Sequence, residues 1–522
     1  MATADGTFFP AMEVEENVET GTRFTRRSAT FIGTFTFVAR IVERLGAFGQ
    51  IALIASVYGS SYIADRYFIA SIAPLIIGAI AGEAFSANIL PALVRSDDEK
   101  GLVSAGFWLA TALMAVIVAC YLAVAAVVVH AYTPAGSHDL RVWFAFAPIG
   151  FLLGISGYLA GVLTYYERYV WPPFRSALST AAGFVATAVV LFFTHDLFWV
   201  AAAVTFGYAL SWVMLMLETR RVVGRGVFAR IGRAGFDAAF ALRGGLSSPV
   251  LGGLLGGQVF VLLERLLAST VGVGAVSTLS YARGVVFTPS IVSQSIALGL
   301  YPGMVRAHEA NDVAHIRGSL LRGLRATLFV AVVFAGFFAL FAQPTTDLLL
   351  RRGAFDPRAA HHVASALAAF SLALVGTMLM VFVARIFYAI AYFRGVVWTQ
   401  VVALAVYVAI ALPLRSVWST SGLAIAFGIA EVTGGVFGLA LAGRKADLSG
   451  RVALVEACVP ACARAAVVVA ALAVVRVAAG DGLFALALAV AVALVVGAAV
   501  LWQASWPELG GVKRGVRRVI AR

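Results

Sequence analysis

Apolar stretches long enough to cross a bilayer as a helix, about 20 residues or more, follow one another with short polar breaks from position 29 to position 503. In hydrocarbon every backbone polar group must be paired within its own segment, so each stretch predicts a membrane-spanning α-helix. The pattern gives about fourteen of them on that length criterion. Their expected spans are 29–58, 65–94, 101–132, 140–165, 173–194, 198–219, 248–270, 276–304, 323–349, 360–391, 395–413, 419–442, 453–478 and 482–503.

The longest polar break divides the first six helices from the last eight. The expected organisation is a tail at 1–28, an N-lobe at 29–221, a linker at 222–247, a C-lobe at 248–445, two further helices at 446–505 and a basic tail at 506–522. Within the linker, Arg225, Arg230, Arg233 and Arg243 alternate with Val227, Phe228, Ile231, Phe236, Phe240 and Leu242. That spacing suits a basic helix lying on the inner leaflet, and equally a plain tether held inside by its charge. Both halves open with a long glycine-bearing span, a short loop, and a second span carrying proline, Pro74 in one and Pro289 in the other. Repeats of this kind frame a central site that opens alternately to each face.

Composition agrees: 61% of the 522 residues are hydrophobic and 12% charged, which excludes a soluble globule. The net charge of +13 comes almost entirely from arginine, and it reads as topology and contact with membrane lipids. No aromatic-basic motif points to nucleic acid. With the amino terminus inside, Arg220, Arg221, Arg306, Arg317, Arg322, Arg325, Arg444, Lys445 and the basic tail all fall in the cytoplasm, while Arg141, Arg351 and Arg358 are among the few on the other side. Both termini are therefore expected inside. The first residues carry no short apolar core with a small-residue cleavage site, so they read as a retained tail. Cys120, Cys458 and Cys462 read as packing residues, His361 and His362 lack metal-ligand partners, and no Walker, nucleophile-elbow or strand-set glycine motif appears. Neither enzyme chemistry, a cofactor nor a metal is expected.

An ionisable group inside a span costs several kcal/mol unless it faces a partner or a wet cavity. Arg40 and Arg44 lie at i and i+4 and share a helix face bordered by Glu43. Two guanidinium groups so placed can grip a phosphate or pyrophosphate, or Glu43 can neutralise one of them in a structural pair. Asp65 reads as a cap on the second helix or as a gate residue at the outer mouth. Glu83 is too deep for a cap and needs a buried partner, a proton or a cation. Glu264 and Arg265 are adjacent and point about 100° apart, which discourages their pairing. Arg283 is either a site residue or a loop anchor, Arg385 reads as an anchor at the inner end, and Glu431, Glu456 and Arg464 are further candidates. Gly252, Gly253, Gly256 and Gly257 permit close helix contact or a hinge.

Several stretches, in order, resemble the MurJ/MviN lipid flippases of the MOP (multidrug/oligosaccharidyl-lipid/polysaccharide) exporter superfamily. They are Arg44-Leu-Gly-Ala-Phe-Gly-Gln50, Tyr58-Gly59, Ala64-Asp65 with Tyr67-Phe68, Pro74, and Gly82-Glu83-Ala84-Phe85-Ser86. Leu263-Glu264-Arg265 with Tyr281-Ala282, Leu300-Tyr301-Pro302, Arg352-Gly-Ala-Phe355-Asp356 and Ala384-Arg385-Ile-Phe-Tyr388-Ala389 continue the resemblance over about 29–445. It implies an all-α polytopic fold in two lobes, helices 1–6 and 7–14, around a V-shaped cationic cavity in the bacterial inner membrane. It also implies outward transport, by alternating access, of a lipid-linked glycan precursor, lipid II, with cell-wall synthesis proteins as candidate partners. Arg44 and Asp65 match the family's first arginine and its acid. The family's second helix-1 arginine falls on Gln50, its helix-2 basic pair on Gly78-Ala79, and its helix-8 Arg and Glu near Gly284 and Phe287. The candidate substrate-binding set is therefore Arg40, Arg44, Gln50, Asp65, Glu83, Arg265 and Arg283, with Asp65 and the four glycines of helix 7 as gating positions. The departures leave two competing expectations: an exporter of another glycolipid or drug, and a scaffold of envelope synthesis that no longer transports.

Overall fold

A computed structural model describes residues 26–94, 96–132, 140–224, 226–228, 249–445 and 450–503. The elements are α1 (Arg26–Tyr58), α2 (Tyr62–Val94), α3 (Glu99–Tyr132), α4 (Arg141–Tyr165), α5 (Trp171–Phe193) and α6 (Leu197–Val223). They continue as α7 (Pro249–Ser269), α8 (Ala275–Val286), α9 (Ser290–Glu309), α10 (Val313–Leu340), α11 (Ala342–Leu350), α12 (Pro357–Ala389), α13 (Phe393–Lys445), α14 (Gly450–Ala479) and α15 (Leu483–Gln503). Among the described residues there is no strand. Among the described residues ten helices are long and apolar enough to cross a membrane, eleven with the α8–α9 pair taken as one bent span.

Four expected spans are not simple single helices. The eighth bends by 48° between α8 and α9, where Pro289 has no N–H to continue the ladder. The ninth stops at Phe341, and the short α11 follows. The eleventh and twelfth are the two halves of α13, which folds back at Trp418 and Ser419, the latter at φ +50°. Phe260 of α7 touches Tyr407 in one half and Phe427 in the other, so the halves lie side by side. Counted this way the helices are consistent with fourteen spans.

Within the N-lobe α1 lies along α5, α2 along α4, and α6 holds α4 and α5 together. In the C-lobe α12 is the central post, touching α8, α9, α10 and α13, while α14 lies along α10 and α15 along α14. One apolar core runs across both lobes at one end, joining Ile54, Tyr58 and Phe68 to Tyr281, Leu350 and Phe355. Towards the other end each lobe has a core of its own, with Ile89, Leu93 and Tyr158 in the N-lobe and Met304, Leu320 and Phe382 in the C-lobe. The lobes are thus joined at the α1–α2 turn and separately packed away from it. The linker expected at 222–247 is described only as far as Phe228, and the tails at 1–25 and 504–522 lie outside the described residues.

The tightest helix contact is α2 on α4. A Cβ built on Gly157 would lie 2.2 Å from the Gly82 Cα, so two backbones touch where neither residue has a side chain. Gly299 of α9, by contrast, faces open space. Gly157→Leu is expected to destabilise the protein by about 1–3 kcal/mol or more through overpacking, read as a lowered unfolding temperature in detergent. Gly299→Ala should leave that temperature unchanged or slightly raised.

Candidate functional site

The joined end is built around Asp65. Gly59 turns the chain out of α1 with φ +58°, and α2 starts with Ser61 beneath its own first amides. The Asp65 carboxylate is thereby free to reach the other lobe. Its Oδ2 accepts from the Gly274 N–H at 2.6 Å and its Oδ1 from the Ser277 N–H at 2.7 Å. Gly274, at φ +83°, is the N-cap of α8 and brings no side chain to satisfy the first-turn amides. A carboxylate of one lobe therefore caps a helix of the other, in place of a cap on its own helix or an ion pair with arginine.

Neighbouring bonds follow the same seam. Ser60 Oγ donates to the Gly274 carbonyl at 2.9 Å and lies 3.0 Å from Thr278 Oγ1. The Tyr281 hydroxyl donates to the Gly59 carbonyl at 2.7 Å. The Ala354 N–H donates to the Ser56 carbonyl at 2.7 Å, beside Gly353 at φ +59°, where a Cβ would lie 2.2 Å from that same oxygen. Arg265 Nη1 donates to the Phe68 carbonyl at 2.9 Å, and its guanidinium sits over the Phe68 ring. Asp65 and Arg265, two of the sequence candidates, thus meet at this seam.

Arg283 does something else. It pairs with Glu264 of α7 inside the C-lobe, and its guanidinium is enclosed by Phe287, Phe370 and Phe427 at 4.4–5.4 Å from the ring centres. Glu264 is buried and keeps Oε1 without a hydrogen-bond partner. Glu431 lies nearby, accepting from Thr377 Oγ1 at 3.0 Å. Gly256 is packed against Gln400 of α13 and Gly257 lies close to the same side chain, so both sit at a helix contact. Gly252 and Gly253, like Glu456, fall where only the backbone is described.

Away from the seam, α1 and α2 diverge and carry the remaining candidates. Arg40 pairs with Glu43 at 2.8 Å on an exposed face. Arg44 is half-buried and, among the described residues, makes no hydrogen bond or ion pair. Gln50 Nε2 lies 3.4 Å from Thr187 Oγ1 of α5, so it faces into the N-lobe. Glu83 is exposed and within electrostatic reach of Arg175 on α5 and Tyr388 on α12. Gly78 has no room for a cation: a Cβ there would lie 2.8 Å from Leu153 Cβ and 2.9 Å from the Gly150 carbonyl. Arg175 is not among the sequence candidates, although an arginine inside the apolar span 173–194 is itself a signal of a site or a buried pair. Among the described residues no group of three or more His, Cys, Asp or Glu side chains could hold a metal.

Two helical lobes, sealed to each other at one end and separately cored at the other, define a membrane transporter with the fold of the MOP superfamily. The solved structure "Lipid II flippase MurJ, inward closed conformation" matches with a TM-score of 0.74 at 15% identity, covering 90% of this chain and 98% of that one. An inward-facing multidrug resistance MATE transporter of the MOP superfamily matches with a TM-score of 0.62, again at 15% identity, over 78% and 98%. The family model "Lipid II flippase MurJ" covers residues 54–497, and the chain belongs to that family. The lipid II flippase MurJ of Burkholderia cenocepacia is 26% identical over 386 residues, 70% of this chain and 73% of its own length. The probable lipid II flippase MurJ of Rhizobium tropici is 22% identical over 417 residues, 75% and 76% of the two chains. This is a family of transporters and not of enzymes.

Removing the Asp65 carboxylate leaves two amides of α8 unpaired, a loss of about 1–3 kcal/mol. In a background lacking the native cysteines, a Ser277→Cys thiol is buried at the seam. Adding Asp65→Ala is expected to raise its labelling rate with a membrane-impermeant maleimide about tenfold or more on that energy scale, and an unchanged rate would mean that Asp65 does not hold the seam closed.

Proposed function

We propose that this protein carries a polyprenyl-linked, pyrophosphate-bearing envelope precursor, lipid II, from the inner to the outer leaflet of the bacterial cytoplasmic membrane. The reading is supported above all by the asymmetry along α1: a few releasable inter-lobe hydrogen bonds centred on Asp65 close one end, while towards the other Arg44 stands on α1 with no hydrogen bond or ion pair among the described residues. Positive-inside counting puts Arg220, Arg221, Arg306, Arg317 and Arg322 in the cytoplasm, so the sealed end faces outward and both termini face inward.

In this arrangement the pyrophosphate enters from the cytoplasmic side and meets Arg44 and Arg40, whose planar guanidinium groups bind phosphate oxygens in pairs. Arg40 exchanges its bond with Glu43 for the incoming anion, so the pair costs little to open at its exposed position. The polyprenyl tail stays in hydrocarbon while the head group crosses between the lobes. Closure around the head group on the inner side and release of the Asp65 cap on the outer side then expose it to the opposite face. The inside-negative potential favours this direction for an anion, by about 2.3 kcal/mol per charge at 100 mV.

Cells depleted of their own lipid II flippase test the reading. The intact chain is expected to restore growth and the appearance of lipid II in the outer leaflet, and Arg44→Ala to restore neither at equal membrane level. A correctly inserted intact chain that fails to rescue removes lipid II as the substrate.

A further inference from the structure

Among the described residues the guanidinium of Arg175 has no hydrogen-bond or ion-pair partner. Its Nη1 is shut off from solvent and makes no hydrogen bond, although a guanidinium brings five donors into any site it occupies. Only its backbone carbonyl is engaged, by Ser211 Oγ at 3.0 Å. Among the described residues no carboxylate lies within ion-pair distance: Glu43 is taken by Arg40, and Glu83 acts on Arg175 only through space. An enclosed cation left in that condition is costly to a purely structural role, because among the described residues no direct hydrogen bond or ion pair offsets the desolvation of Nη1.

Its position follows from helix register. α1 runs alongside α5 in the same direction, with Gly46 against the Thr180 backbone and Gly49 against the Phe184 ring. Counting back five residues from Thr180, about 7.5 Å at 1.5 Å per residue, brings Arg175 level with the turn of α1 that carries Arg40 and Glu43. The charges felt by Arg175 agree with this, since Glu83, Arg40 and Glu43 are its electrostatic neighbours. Glu83 sits on α2, next to the Gly82 that touches α4, and it also reaches Tyr388 of the C-lobe. Arg175 therefore belongs to the same group of charges as Arg40, Glu43 and Glu83, though it is supplied by a different helix.

We infer that Arg175 is a substrate-binding residue that takes the diphosphate of the lipid, supplying a guanidinium from α5 beside those that α1 carries at Arg40 and Arg44. Glu83 is its competitor in the empty state, an exposed carboxylate that the arriving diphosphate displaces electrostatically. The inference rests on the transport reading above, and it makes Arg175 specific for charge at the head group, with no part in holding the polyprenyl tail.

Direct binding tests it on the full-length protein in lipid nanodiscs, with undecaprenyl diphosphate, undecaprenyl monophosphate and uncharged undecaprenol as probes and tryptophan fluorescence as the signal. Trp171 lies one turn before Arg175. Arg175→Gln is expected to weaken diphosphate binding about tenfold or more, as loss of a charge-assisted pair does, and to leave undecaprenol unaffected. Arg175→Lys, which keeps the charge and guards against a folding defect, should fall between the two. Glu83→Gln, at an exposed position, should tighten diphosphate binding several-fold. If the intact protein binds the diphosphate and Arg175→Gln binds it equally well, or if Glu83→Gln weakens it, the assignment of Arg175 is overturned while the transport reading stands. If the intact protein binds neither phosphate lipid, both are overturned together.

Discussion

A helix that starts without a cap of its own needs an acceptor from elsewhere, and at α8 that acceptor comes from the other lobe. The first amides of any helix are unpaired and carry its positive end, so a carboxylate is the strongest simple cap they can find. Gly274 offers none, and Asp65 fills the place with both oxygens. Because the two amides and the carboxylate can each be satisfied by water once separated, the bond is strong enough to close the seam and weak enough to break. The rest of the seam conforms to it. Gly59 and Gly353 take up positive φ so that the chain can turn beneath the opposite lobe, and Tyr281, Ser60 and Arg265 all bind backbone carbonyls across the gap.

Charges in the membrane divide by their partners. Arg283 and Glu264 are spent on each other inside a cage of phenylalanines, which ties α7 to α8 and lets that pair meet the N-lobe as one body. Breaking such a buried pair on one side alone costs several kcal/mol, so it suits a part that must move without deforming. Arg265, one residue from Glu264, points the other way and binds Phe68. The 100° step between neighbours on a helix thus places one charge in the lobe and one on its surface. On the N-lobe side Arg44 and Arg175 have no such ion pair among the described residues.

Most of the architecture is legible in the sequence because hydrocarbon imposes a simple rule: a long apolar run is a helix, and the breaks between runs are loops. Where the rule fails, the cause is local backbone chemistry. Pro289 splits one run, and the fold-back at Ser419 joins two into a single element. The site was less legible. That Asp65 is special could be read from its place after Gly59, but its partner lies 209 residues away, and pairing at that separation leaves no periodic trace. Arg283 could be read as a charge without a visible partner; only the folded C-lobe brings Glu264 and three rings around it. Arg175 needed no structure to be noticed, only the same suspicion that was applied to Arg40 and Arg44.

The missing cation on α2 has a packing cause. Gly78 and Gly82 lie on one face of α2 and both meet α4 closely: a Cβ at Gly78 would lie 2.8 Å from Leu153 Cβ, and one at Gly82 would lie 3.1 Å from the Leu153 carbonyl. A basic residue at 78 would force the two helices apart and disturb the N-lobe core that continues from them through Leu93 and Tyr158. With α2 committed to that contact, its only charge in the region is Glu83, the wrong sign for a phosphate. The compensating cation must then come from a helix that does not face α4 in this way, and α5, which lies along α1, brings Arg175 to the level of Arg40 and Glu43. Close packing and charge placement are thus linked: at Gly78 the contact of α2 with α4 leaves no room for a cation, and the arginines at this level stand on α1 and α5.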